Sequence, residues 1–146
     1  MEIKQEKELE VFNRLFRELN GFYHEIALNC NLSDSAFIIL YSIVELGDGC
    51  LQTEIAKCHS VSKQTIHTSA KNLERKGYII FKRGKGRDVL LYLTQAGKEL
   101  VSEKIMPVIE MENSTFAEMS RTERWQLLCL MEKYVGILRE KLVQIL

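Results

Sequence analysis

Proline is nearly absent from this chain: one residue, Pro107, in 146, with only eight glycines beside it. That composition excludes collagen-like repeats and Pro/Gly-rich linker material. Long apolar runs are missing too. The longest, Ala36 to Val44, is interrupted by Ser42 and ends at Glu45. A membrane-spanning helix needs roughly 20 apolar residues, so no membrane partner is expected. The opening MEIKQEKELE holds six charged residues and no apolar segment, unlike a secretory signal, and the expected location is cytoplasmic. Cysteines at 30, 50, 58 and 129 form no CxxC pair and no zinc-ligand spacing. Without an export signal no disulfide framework is expected, and free cysteines of this kind are expected to be small buried apolar side chains. His24, His59 and His67 are scattered, and the adjacent Cys58-His59 pair is a poor start for a metal site. No glycine-rich phosphate loop, Gly-x-Ser-x-Gly elbow or His-Glu-x-x-His motif occurs. The expectation is no metal, no cofactor and no enzymatic activity.

Net charge is also missing, since 20 Lys+Arg balance 20 Asp+Glu. The balance is global, not local. Between Lys57 and Arg87 stand nine basic residues (Lys57, Lys63, Lys71, Arg75, Lys76, Lys82, Arg83, Lys85, Arg87) against the single acid Glu74. The rest of the chain is correspondingly acidic. A basic middle between acidic flanks is an electrostatic footprint for a polyanion.

With 146 residues, 46% of them apolar, the chain suits a single domain (1–146) whose core needs no disulfides. Residues of about 4–29 read as an amphipathic helix, with Leu9, Phe12, Phe16, Leu19, Tyr23 and Ile26 recurring at three- and four-residue steps. Val11, Leu15 and Phe22 widen that stripe beyond what one partner helix needs. A second helix starts after Ser33 or Asp34 and runs to about Leu46, where Gly47-Asp48-Gly49 breaks it. A short helix follows at about 52–58, then Ser62 caps a helix of about 63–76 that stops at Gly77. Two β-like runs, Tyr78–Lys82 and Val89–Leu93, flank Gly84-Lys85-Gly86 and predict a hairpin. Thr94 can cap a long helix in which Pro107 predicts a kink or break. Ser120-Arg121-Thr122-Glu123 has capping-box spacing and opens the last helix. Its apolar residues, from Trp125 to Leu146, are too many for one stripe. Another subunit is the expected cover.

The short helix, tight turn and capped second helix match a helix-turn-helix, whose second helix lies in the major groove of double-stranded DNA. At 100° per residue Ile66, Ala70 and Leu73 fall on one side of that helix. Gln64, Thr68, Lys71 and Arg75 fall opposite, flanked by Thr65, His67 and Asn72. Gln suits adenine edges, and Lys and Arg suit guanine or phosphate. Gln64, Thr65 and Thr68, in the first turns, are the base-reading candidates, while Lys71 and Arg75 suit the backbone. An ordinary exposed helix face would also be polar. The basic hairpin tip, with Lys82, Arg83, Lys85 and Arg87, favours the DNA reading, since an Arg there could enter a narrow minor groove.

Four ordered blocks carry a family resemblance: Leu51-Gln52-Thr53-Glu54-Ile55-Ala56, Ser62-Lys63-Gln64-Thr65-Ile66, Leu73-Glu74-Arg75-Lys76-Gly77-Tyr78-Ile79 and Leu93-Thr94-Gln95-Ala96-Gly97. Together they resemble a MarR-family transcriptional regulator over about residues 33–100. The resemblance implies a mainly α fold with a small β-hairpin (α+β). It places a winged helix-turn-helix lobe at about 33–96 between N- and C-terminal dimerisation helices at about 1–30 and 97–146. It implies a homodimer binding a pseudo-palindromic operator, most often as a repressor. The implied DNA-binding set is Ser62, Lys63, Gln64, Thr65, His67, Thr68, Lys71, Arg75, Lys82, Lys85 and Arg87. The wing departs from the family pattern: Lys85 stands where an Asp orienting Arg87 is expected, and the hairpin is about two residues short. Asp88 is the candidate substitute.

The resemblance also implies a small aromatic or phenolic effector near the first two helices. Phe16, Tyr23, Phe37 and Tyr41 could line its pocket, or could simply be core. Two other readings stay open: a winged-helix protein-interaction module without DNA binding, and a thiol redox sensor with DNA binding as output. Peroxide-sensing relatives carry a reactive Cys in the first helix, whereas Cys30 falls at or past its end, with no evident neighbouring base.

Overall fold

The computed structural model describes residues 3–146. Its elements run α1 (Lys7–Asn29), α2 (Asp34–Leu46), β1 (Cys50–Leu51), α3 (Gln52–Cys58), α4 (Lys63–Arg75), β2 (Ile79–Arg83), β3 (Val89–Leu93), α5 (Gln95–Leu100), a π-helical turn (Val101–Ile105), α6 (Met106–Glu118) and α7 (Arg121–Ile145). The chain divides into two compact units, one up to Met106 and one from Pro107 onward.

Hydroxyl side chains start four of the helices. Ser33 Oγ accepts from Ala36 N at 3.1 Å, Ser62 Oγ from Thr65 N at 3.0 Å and Thr94 Oγ1 from Gly97 N at 3.0 Å. Each satisfies one of the amide donors that a helix start leaves unpaired. Ser120 and Glu123 close the full capping box: Ser120 Oγ accepts from Glu123 N at 3.1 Å, and Ser120 N donates to Glu123 Oε1 at 2.8 Å.

The first unit is organised around α2, whose apolar run supplies the fully buried Ile39, Leu40 and Ile43. Ile55 of α3, Ile66 and Leu73 of α4, Ile79 of β2, Leu91 of β3 and Ile105 of the π turn complete the core. Each such side chain contributes roughly 1.5–3 kcal/mol by leaving water. Two polar groups are buried with them. Ser42 Oγ shares a hydrogen bond with His59 Nε2 at 2.9 Å, and Ser69 of α4 is bonded to Ser35 of α2.

The sheet is antiparallel in the order β1-β3-β2. The expected hairpin is its larger part, in register from Ile79↔Leu93 to Arg83↔Val89. β1 is an addition to the expected elements: two residues, Cys50↔Leu91 and Leu51↔Leu90, on the free edge of β3. Gly49 permits that approach. Its φ is +89°, and a Cβ there would lie 2.8 Å from the Tyr92 ring. Asp48 Oδ1 accepts from Leu93 N at 2.7 Å and ties the same loop to β3.

Two expectations need correction. Pro107 does not end the helical run: α5, the π-helical turn and α6 follow one another without a gap, and the proline is the second residue after the π turn. The irregularity lies upstream, in the π-helical turn. Nor are the four cysteines uniformly buried: Cys50 is, Cys30 and Cys129 are half-buried, and Cys58, the last residue of α3, is exposed.

The first and last helices keep large apolar side chains in the open. On α1 the exposed set includes Leu15, Phe16, Leu19 and Phe22, and α7 buries no residue at all. Trp125 and Leu130 are 67% and 65% exposed. No single helix among the described residues is long and apolar enough to cross a membrane.

Candidate nucleic-acid interface

α3 and α4 are joined by the turn 59–62, in which Ser60 adopts φ +51° and Val61 N donates to Ala56 O at 3.0 Å. α4 then buries Ile66, Ser69, Ala70 and Leu73. Ser69 is the unforeseen member of that side, because its partner, Ser35, comes from another helix. Ser62, Lys63, Gln64, Thr65, Thr68 and Arg75 are exposed, as expected for a reading face. Gln64 Nε2 donates to Thr68 Oγ1 at 3.5 Å, so two of the three base-reading candidates lie side by side one turn apart.

His67 and Lys71 are placed differently from the rest. His67 is half-buried, with Nδ1 donating to Gln52 Oε1 at 3.3 Å and its ring 6.3 Å from that of Phe81. Lys71 stays about half exposed, yet its Nζ lies 3.3 Å from Glu74 Oε1 and 4.5 Å from the Phe81 ring centre. Gln52 and Phe81 were outside the sequence-derived set. A signal for Phe81 existed: it is two residues from the buried Ile79, and alternate strand residues share a face.

The wing tip closes through its backbone, Gly84 N donating to Asp88 O at 2.9 Å and Asp88 N to Lys85 O at 3.1 Å. Asp88 therefore shapes the turn, and it makes no ion pair with Arg87 among the described residues. Lys85 and Arg87 are exposed at the tip, and Lys82 lies over the Tyr92 ring at 4.6 Å. Of the basic stretch, only Lys71 has a carboxylate partner among the described residues. The remaining cations on α4 and the wing form an uncompensated positive surface, which raises the local concentration of a polyanion.

A joint fixes this surface to the following helix. Thr94 N donates to Tyr78 O at 3.0 Å and Thr94 Oγ1 to Gly77 O at 2.6 Å, while Gly97 presses on the same segment. The Leu93-Thr94-x-x-Gly97 pattern is thus a packing device. Thr94 both caps α5 and pins the entry to β2, and residue 97 has no room for a Cβ, which would lie 2.0 Å from Tyr78 O.

The four aromatic pocket candidates lie on α1 and α2. Phe37 is buried and packs at 5.8 Å against the half-buried Tyr41; Phe16 is exposed on α1, stacked on Phe12 at 6.2 Å; Tyr23 is half-buried. None of them lines the cavity of about 270 Å³ between α2 and α4, walled by Leu32, Ser33, Ala36, Ser69, Asn72, Leu73, Arg75 and Lys76. The groove of about 380 Å³ at the α3–α4 turn is bordered by Thr53, Glu54, Ala56, Lys57, Val61 and Lys63. No group of three or more His, Cys, Asp or Glu suited to a metal ion occurs among the described residues.

Residues 31–87 match the model of the MarR family. The matched segment, which runs from α2 to the wing tip, is similar to the MarR family. The likeness in fold extends past the matched segment. A MarR family regulator from Neisseria meningitidis superposes with a TM-score of 0.80 over 97% of this chain and 100% of that one, at 22% identity. Staphylococcus aureus MepR, solved as a DNA complex, gives 0.70 over 92% and 99%, at 22% identity. The MarR protein of Staphylococcus aureus in complex with salicylate and kanamycin gives 0.68 over 90% of each chain, at 20% identity. No curated protein matches the sequence. At these identities the likeness is one of fold.

Proposed function

We propose that this chain is a homodimeric transcriptional repressor whose two winged helices grip a pseudo-palindromic operator. The observation that carries the reading is the exposed face of α4, continuous in charge with the wing tip and nearly free of carboxylates. Gln64, Thr65 and Thr68 read base edges. Ser62, Lys63, Arg75, Lys82 and Lys85 hold phosphates, and Arg87 reaches the flanking minor groove. The dimer is supported by the apolar faces that α1 and α7 each leave open, since exposed apolar faces on a folded chain mark interaction sites. Residues 1–146 then act as one domain, the helices at about 1–30 and 97–146 pairing with a second copy and the lobe at about 33–96 facing DNA. Two recognition helices related by a dyad address half-sites roughly 10 bp or a multiple apart.

Release requires a ligand that favours one dimer spacing over another. A small aromatic acid is the class to try first, supported by the salicylate complex of a protein with the same fold.

The deciding experiment titrates the protein against the DNA upstream of its own gene, at several salt concentrations, with random DNA as control. Site-selective binding that falls steeply with salt is expected, with Arg87→Ala lowering the salt slope by about one per subunit. If neither DNA binds at low salt, the basic surface is a protein-docking face instead.

A further inference from the structure

The surface of α4 is divided into three stripes. Ile66, Ser69, Ala70 and Leu73 are buried, and Gln64, Thr65, Thr68, Asn72 and Arg75 are open. His67, Lys71 and Glu74, spaced four and three apart, form a third stripe along one side of the helix. There the Phe81 ring, on β2, lies 4.5 Å from Lys71 Nζ and 6.3 Å from the His67 ring at an interplanar angle of 45°. His67 in turn donates to Gln52 of α3, and Lys71 to Glu74. Five side chains on three elements therefore run in contact as Gln52, His67, Phe81, Lys71 and Glu74.

We infer that Phe81, His67 and Lys71 are positioning residues, which set the wing against the recognition helix, and that Lys71 is not a phosphate contact. The inference rests on the DNA-binding reading above. The Lys71 charge is already engaged twice, by a carboxylate and by the negative face of an aromatic ring. Reaching a phosphate would forfeit both. Lys63 and Arg75 have no carboxylate partner among the described residues and lose nothing by turning to DNA. The link between α4 and β2 is three residues long and includes Gly77 at φ +83°. Gly77 N donates to Glu74 O and Tyr78 N to Leu73 O, which fixes where the strand starts; farther along β2, the Phe81 contacts with His67 and Lys71 are the side-chain bridge to α4 that sets the wing angle. That angle fixes the offset between the bases read by Gln64, Thr65 and Thr68 and the groove entered by Arg87, which makes Phe81 a determinant of site selectivity.

The test uses the full chain and a duplex selected by the wild-type protein from a random-sequence pool, with binding read by fluorescence anisotropy across a potassium chloride series. Arg75→Met, a lost phosphate contact, should flatten the log–log salt slope by about one per subunit. Lys71→Met keeps the apolar stem, and it and Phe81→Leu should each weaken the selected site about two- to fivefold while leaving the slope unchanged. The double variant should be no worse than the weaker single one. In the free protein, the Lys71 side-chain protons should resonate upfield of the other lysines through the Phe81 ring current, and return on Phe81→Leu. A Lys71→Met slope that falls as far as that of Arg75→Met overturns the inference and restores Lys71 as a phosphate contact. An unshifted Lys71 resonance overturns its geometric basis without any DNA. Should Phe81→Leu fail to fold, Lys71→Met, at an exposed position, carries the same decision. A wild-type protein that selects no duplex overturns the DNA reading and this inference with it, whereas selective binding with an altered Lys71→Met slope defeats the inference alone.

Discussion

Replacing Gly97 by alanine puts opposing effects of known size against each other. Helix propensity alone favours the substitution by about 1 kcal/mol, since Gly97 lies inside α5. Packing opposes it. The new Cβ would lie 2.0 Å from Tyr78 O, 3.0 Å from Tyr78 C and 3.2 Å from Leu93 Cδ2. The first contact is more than 1 Å closer than van der Waals radii allow, and its partner is backbone that cannot rotate away. Tyr78 O is held by Thr94 N at 3.0 Å, and the preceding carbonyl, Gly77 O, by Thr94 Oγ1 at 2.6 Å. Relief means moving α5 off the wing, with the loss of one or both hydrogen bonds at about 1 kcal/mol each. The overpacking that remains costs about 1–3 kcal/mol. The expected net effect is a destabilisation of about 1–4 kcal/mol, against the roughly 5–15 kcal/mol typical of a folded domain. Urea denaturation at fixed subunit concentration reads this as a lowered midpoint with an unchanged slope. A midpoint equal to or above that of the wild type would mean that the Thr94–Gly97 joint is not a constraint, and would refute the packing argument.

Four further outcomes follow from the geometry. Ser42→Ala strips His59 Nε2 of its buried partner and should cost about 1–3 kcal/mol in the same urea assay. With Ellman's reagent at neutral pH, the exposed Cys58 should react first and Cys50 last, because burial, with the carboxylates of Glu54 and Asp48, pushes the Cys50 thiol up from 9.0 to about 11. The native state thus holds the Cys50 proton more tightly than the unfolded chain. The stability this contributes is complete below about pH 9 and lost as pH rises toward 11, and Cys50→Ala should flatten the alkaline fall in Tm. Leu130→Glu, on the open surface of α7, should leave helical content intact and shift sedimentation from dimer to monomer; an unchanged dimer would remove that part of α7 from the interface.

Much of this protein was legible residue by residue, wherever the signal lies within a few positions of its effect. Ser33, Ser62, Thr94 and Ser120 cap helices through amides three residues away. The spacing of Ile66, Ala70 and Leu73 selects the buried side of α4, and the glycines between two β-branched runs make the hairpin. These preferences belong to the local chain and survive any tertiary arrangement. The rest depended on which elements meet. β1 is too short to show a pattern and exists because β3 offers it a free edge across Gly49. Ser69 is buried because Ser35 of a different helix faces it, and Cys58 is exposed because α3 turns only Ile55 and Ala56 inward. His67 and Lys71 look like any other residues of a polar helix face until β2 brings Phe81 against them. The helices, their caps and the basic stretch follow from the chain alone, because those forces act over one or two turns. Which cations remain free for a polyanion and which are held within the fold follows from packing, because the groups that claim them come from elsewhere in the chain.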